Sequence, residues 1–267
     1  MVHFVGAGPG AADLITLRGA ALLREADVVI YAGSLVNPEL LRETKPGCEL
    51  HNSAFLTLEE ILILCEAAER AGKVTVRLHT GDPSLYGAVR EQMDGLDARG
   101  IPWSVTPGVS SFCGAAAALG AEYTLPGGSQ SVILTRLSGR TPVPEGERLR
   151  DLASHGASLV VFLSAGMLEQ VQAELLAGGA FRPDTPAAIV YKATWQEEQR
   201  VSCTVGTLAE AGQQAGIRKT ALILVGDFLR PAGYDRSRLY DPAFSTGYRA
   251  GTPQAASPKP GELTPDD

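Results

Sequence analysis

The chain has 267 residues, room for two domains of roughly 100 to 150 residues each, and 45% of it is hydrophobic, enough to bury a core in both. Its 23 Lys and Arg stand against 30 Asp and Glu, a net charge of −7, which disfavours the broad basic surface of a nucleic-acid binder. Any bound anion must then be met by local positive charge. Cys48, Cys65, Cys113 and Cys203 are scattered, as are His3, His51, His79 and His155, so reduced thiols and no protein-bound metal are expected. The sequence opens on a strand-like run instead of a leader and holds no apolar stretch of membrane-spanning length, so a cytoplasmic protein with no membrane partner is expected.

Val2 to Val5 is the first β-like run, and it feeds Gly6-Ala7-Gly8-Pro9-Gly10-Ala11. That turn satisfies the G-x-G-x-x-G/A pattern of dinucleotide sites, which also require an acid at the end of the second strand. Here Asp27 to Tyr31 carries its acid at the start, and Pro9 removes an amide from any phosphate nest. A nicotinamide or flavin cofactor is therefore not expected, and the turn reads as rigid and close-packed. Thr57 to Ala71 has helical spacing, with Leu58, Ile61, Leu62, Cys65 and Ala68 on one face.

Val74 to His79 is the next strand, and it runs into Thr80-Gly81-Asp82-Pro83-Ser84-Leu85-Tyr86-Gly87. Ligands collect at the C-terminal edge of open parallel sheets, and bare glycines let backbone amides approach a small molecule. An ordinary Gly-Asp-Pro turn is the plainer reading. His79 is expected to pack at the strand end and not to carry protons. Trp103 to Thr106 leads to Pro107-Gly108-Val109-Ser110-Ser111, where the serines either cap a helix or face a ligand.

A break at Gly120 to Gly128 opens a second series of strands: Val132 to Leu137, Leu159 to Leu163, Ala188 to Tyr191 and Ala221 to Gly226. The fold class is α/β, with one α/β domain over 1–120 and another over 121–249. Residues 250–267 are rich in Pro, Ala, Thr and acids with almost no large apolar side chains, so a disordered tail is expected there.

The opening Gly6 to Gly10 with Asp13-Leu14-Ile15-Thr16-Leu17-Arg18-Gly19, the Gly81-Asp82-Pro83 loop and Pro107 to Ser111 resemble, in the same order, the signatures of the tetrapyrrole methylases. More selective are Tyr31-Ala32-Gly33-Ser34-Leu35-Val36, Ser84-Leu85-Tyr86-Gly87 and Thr135 to Glu145. These are similar to the branch of that family that methylates C11 of precorrin-4 or cobalt-precorrin-4 in cobalamin synthesis. The resemblance covers about residues 1 to 249. It implies two α/β domains with S-adenosylmethionine in the cleft between them, and a homodimer. By position it implies donor contacts at Pro9, Thr80, Gly81, Asp82, Leu85, Ser110, Ser111, Leu163, Ala193 and Ala221, with Asp82 acting either through its carboxylate on the donor's ammonium or through the backbone of its loop.

The implied reaction moves a methyl group from a sulfonium to a pyrrole-derived carbon, so the protein's task is alignment and exclusion of water. No protein nucleophile is required, and the sequence nominates no catalytic residue. The implied substrate is an apolar macrocycle fringed by carboxylates, for which a guanidinium fork is the best match. Arg18, Arg136, Arg140 and Lys192 are the candidates. Two other functions compete: an RNA or protein methylase of the same superfamily, and a non-catalytic protein that binds S-adenosylmethionine.

Overall fold

The computed structural model describes residues 1–230 and 234–252; the expected tail lies outside them from residue 253 on. The first unit runs β1 (Val2–Gly6), α1 (Leu17–Glu25), β2 (Val28–Tyr31), β3 (Glu49–Asn52), α2 (Leu58–Arg70), β4 (Thr75–His79), α3 (Arg90–Asp97), β5 (Trp103–Thr106) and α4 (Ser111–Leu119). Its five strands are all parallel, in the order β3-β2-β4-β1-β5. With helices on both faces, β1 and β4 are buried throughout except for His3, as the apolar runs at Val2 and Val74 predict. One face packs Val2, Phe4 and Ile30 against Ile61, Leu62 and Cys65 of α2 and Leu96 of α3. The other packs Val5, Val29, Val76 and Leu78 against Leu23 of α1 and Leu40.

Helix α2 begins where the sequence asks it to. Thr57 caps it in a reciprocal capping box with Glu60, and Ile61, Leu62, Cys65 and Ala68 are its buried stripe.

The second unit runs β6 (Val132–Arg136), α5 (Leu149–Ala153), β7 (Ser158–Phe162), α6 (Leu168–Ala177), β8 (Pro186–Tyr191), β9 (Gln199–Thr204), α7 (Leu208–Gln214) and β10 (Ala221–Val225). Its sheet is mixed, in the order β6-β7-β10-β8-β9: β6 and β7 are parallel, and every other pair is antiparallel. Helices α5, α6 and α7 cover one face. The other face is covered by α4, whose Ala115 and Ala118 join Val160, Phe162, Val190 and Leu224 in a single cluster.

The expected division at residue 120 therefore falls after a helix that packs on the second sheet. Its small side chains, Gly114 to Ala118, let it lie close to that sheet, and no periodic pattern announces it. Strands β3 and β9 were also not expected. Each is the edge of its sheet, and the exposed polar residues that keep an edge soluble also erase its apolar signature. No helix among the described residues is long and apolar enough to cross a membrane.

Candidate functional site

The C-terminal ends of β1, β4 and β5 converge at three glycines whose backbones touch. A β-carbon on Gly6 would lie 2.5 Å from Gly108 Cα and 2.7 Å from Gly81 O, and one on Gly108 would lie 2.7 Å from Gly6 Cα. Gly81 N donates to Gly8 O at 2.8 Å, and Gly8 N to Gly81 O at 3.3 Å, joining the first Gly-rich turn to the loop after β4. Asp82 ties that loop to the third strand. Its Oδ2 accepts from Gly108 N at 2.8 Å, while Oδ1 accepts from Ser84 N at 2.8 Å and from Ser84 Oγ at 2.5 Å.

Above this floor lies a cavity of about 460 Å³ that the second unit closes. All ten residues expected to meet the methyl donor line it: Pro9, Thr80, Gly81, Asp82, Leu85, Ser110 and Ser111 from the first half, Leu163, Ala193 and Ala221 from the second. They lie as much as 212 positions apart in sequence (221 minus 9) and meet only because both sheets aim loops at one space. Its volume is in the range that small organic ligands occupy. Ser110 stands at the N-cap of α4, yet its side chain makes no capping bond, which removes the plainer reading of that serine.

Backbone strain gathers at the same place. Six non-glycine residues among those described have positive φ, and four of them line the cavity: Tyr86 (+55°), Leu163 (+54°), Lys192 (+46°) and Thr220 (+54°). Bulky residues in this region persist only where surrounding structure enforces them, as it does at binding sites. Leu163, 66% exposed, is thereby held out from its strand end. Tyr86 packs on Phe162 with ring centroids 5.2 Å apart, joining the two units along one wall.

A second junction fastens the Gly-rich turn itself. Trp195 Nε1 donates to Pro9 O at 3.2 Å, and Ala11 N donates to Thr194 Oγ1 at 2.9 Å. Gly10 leaves the space that the Trp195 indole fills, since a β-carbon there would overlap the ring and lie 2.8 Å from Ala193 O.

The four cations expected at the substrate fare differently. Lys192 lines the cavity, paired with Glu197 at 3.1 Å and 5.0 Å from the Trp195 ring centre. Arg136 does not line it; the guanidinium donates to Thr141 O at 2.9 Å and Pro142 O at 2.7 Å and so braces the loop after β6. Arg18 and Arg140 are exposed and stand off the cavity. Sequence reasoning passed over Leu35, Tyr86, Phe162, Met167, Trp195, Arg218, Lys219 and Thr220, which do line it. Leu35 and Tyr86 at least fall inside selective motifs; the others carry no local signal. His79 is buried and stacked on Phe4 at 5.9 Å, and desolvation, then the Arg77 charge, push it down to about 3. It is a neutral packed residue in place of a proton carrier.

Of the two readings of Asp82, the hydrogen bonds favour the backbone of its loop. Its carboxylate faces protein donors, so the groups the loop offers to a ligand are chiefly its backbone and Leu85. Partial burial pushes the carboxyl upward, but the bonds from the Ser84 side chain, Gly108 N–H and Ser84 N–H outweigh that and hold it below the usual carboxylate range. The folded value is depressed, so this contribution to stability is full above the ordinary Asp range and is lost as pH falls through the folded value. Urea unfolding across the acid range should therefore show a steeper loss of stability for the native chain than for Asp82→Asn; parallel curves would refute this role.

A parallel sheet and a mixed sheet whose loops share one ligand-sized cavity define an α/β protein of the cleft-binding class. The family model of tetrapyrrole (corrin/porphyrin) methylases matches residues 1–209. A Methanocaldococcus jannaschii protein named cobalt-precorrin-4 C(11)-methyltransferase is 51% identical over 248 residues, 93% of this chain and 95% of that one. The X-ray structure of a cobalt precorrin-4 methyltransferase, a cobalamin biosynthetic enzyme, matches with a TM-score of 0.84 at 48% identity, over 86% of this chain and 96% of that one. Uroporphyrin-III C-methyl transferase from Thermus thermophilus, complexed with S-adenyl homocysteine, matches with a TM-score of 0.72 at 32% identity, over 86% and 93%. The chain belongs to the tetrapyrrole methylase family.

Proposed function

We propose that this chain is an S-adenosylmethionine-dependent C-methyltransferase acting at C11 of precorrin-4 or cobalt-precorrin-4 in cobalamin biosynthesis. One observation carries the reading: the residues that the family resemblance implies for the donor, from Pro9 to Ala221, share one cavity between the two sheets. The donor supplies an already activated methyl group on a sulfonium. What the chain supplies is placement. Leu85 and Leu163 offer apolar surface to the adenine and thioether, while the backbone at Thr80, Asp82 and Ser110-Ser111 meets the polar ends. Tyr86 and Phe162 form an aromatic wall for the face of a macrocycle, and burial raises the Tyr86 phenol, which stays neutral. Walls contributed by both units exclude water from the transfer.

The enzyme works as a cytoplasmic homodimer with no protein-bound metal in this reading. Pure protein given S-adenosylmethionine should add a single methyl group to precorrin-4 or to cobalt-precorrin-4, detected by mass, and a chelator should leave the yield unchanged. Donor binding with no methylated product from either substrate would make it a non-catalytic binding protein; activity lost to the chelator and restored by zinc or magnesium would overturn the metal-free site.

A further inference from the structure

Most of the cations of this chain are already engaged. Arg24 pairs with Glu43, Arg150 with Glu174, Lys192 with Glu197 and Arg200 with Glu198, while Arg136 is held by loop carbonyls. Arg218 and Lys219 are different. Both are exposed, both line the cavity, and neither makes an ion pair or a side-chain hydrogen bond among the described residues. The backbone beneath them is nonetheless fixed. Ile217 is buried and donates to Gly212 O at 3.0 Å, Thr220 O accepts from Lys192 N at 2.9 Å, and Thr220 is held at φ +54°. Gly166 makes room for the segment, because a β-carbon there would lie 3.1 Å from Arg218 O. Two adjacent cations are thus anchored at the rim with no internal anion.

We propose that Arg218 and Lys219 bind peripheral carboxylates of the tetrapyrrole and set its position over the methyl donor. This rests on the methyltransferase reading given above. The charge of the two ligands decides between them as the target. The donor carries a sulfonium, an ammonium and one carboxylate, so its net charge is positive and two free cations beside it are repelled overall. A macrocycle fringed with acetates and propionates is a polyanion, and on a chain of net charge −7 it needs local positive charge of the kind this rim supplies. Arg218 also lines a second groove, of about 340 Å³, that shares Ala165, Gly166 and Met167 with the first. A substrate wider than the donor therefore meets Arg218 where the two spaces join, and its guanidinium fork suits a carboxylate there.

The test uses the full chain with saturating S-adenosylhomocysteine and uroporphyrin as a fully acidic tetrapyrrole probe. Arg218→Gln/Lys219→Gln should raise the Kd for uroporphyrin about tenfold or more, the scale of charge-assisted contacts at a partly exposed site. The increase should be smaller for the less acidic coproporphyrin and should shrink as salt rises. Arg218→Lys should recover part of the affinity, and Arg42→Gln, which removes an exposed cation away from the cavity, should change nothing. Calorimetry should give an unchanged Kd for S-adenosylmethionine, and turnover should show a raised KM together with a lowered kcat, as the macrocycle loses its register over the methyl group. Unaltered uroporphyrin binding in the double variant overturns the assignment while leaving the methyltransferase reading intact. A weakened donor Kd with uroporphyrin binding unmoved also overturns it, and gives the pair to the methionine carboxylate. A native chain that binds the donor but no tetrapyrrole overturns both readings.

Discussion

A Gly108→Ala variant should unfold about 3 kcal/mol more easily than the native chain and lose most of its affinity for the methyl donor. The added methyl group would lie 2.7 Å from Gly6 Cα and 2.9 Å from Gly6 C, and closer still to Gly81 O. All of these are main-chain atoms of neighbouring strand ends, so no side chain can swing aside to admit it. Relief requires β1, β4 and β5 to separate where the loops of the cavity floor begin, and the Gly108 N–H bond to Asp82 goes with that movement. Gly247→Ala is the matched control. Its β-carbon would meet nothing within 4 Å, and its stability should stay within about 0.5 kcal/mol of the native chain. Urea unfolding followed by circular dichroism compares the two. Equal midpoints would mean that the strand ends separate at little cost, and the packed-glycine account of the floor would fail.

Gly81→Val should fold but bind S-adenosylmethionine at least about tenfold more weakly, a loss of ~1.4 kcal/mol or more. Gly81 has φ +60°, a conformation that costs an ordinary residue about 1–2 kcal/mol and a β-branched one more. Space adds a second effect. A lone β-carbon finds ordinary contact, 3.4 Å from Ser111 N and 3.5 Å from Ser110 Cα, but valine's two methyls must extend beyond it into the helix start or the cavity. Gly81→Ala therefore separates the causes, carrying the backbone strain without the branches, and should fall between the native chain and valine. Calorimetry on the folded proteins reads the order directly. If valine binds as tightly as glycine, the loop after β4 is not part of the donor site.

The parts of this molecule that were legible in sequence are those that local chemistry dictates. Val74 to His79 reads as a buried parallel strand because apolar side chains dominate it, and its one charged residue, Arg77, is bonded to Gln92 at 2.9 Å. Thr57 and Glu60 announce the start of α2 through their reciprocal bonds. The residues that line the shared cavity were legible through motif order, since resemblance carries position where spacing alone does not. What stayed hidden depends on partners distant in sequence. Helix α4 is a run of small residues whose place on the second sheet is decided by Val160, Val190 and Leu224. Arg136 and Arg140 stand in one selective motif, yet one is bound to its own loop and the other faces solvent away from the cavity. Arg218 and Lys219, by contrast, follow a short helix in an unremarkable stretch, and only the fold brings them beside Leu163.

The seat of Trp195 in the notch at Gly10 makes the two halves of the chain a matched pair. Any chimaera that joins the first half of this protein to the second half of a relative must carry both surfaces, the bare turn and the indole that fills it. A side chain at position 10 would strike the ring and the Ala193 carbonyl, and a small residue at position 195 would leave Pro9 O without its donor. Recombination and directed evolution of substrate range in this scaffold are therefore constrained to co-inherit these two sites.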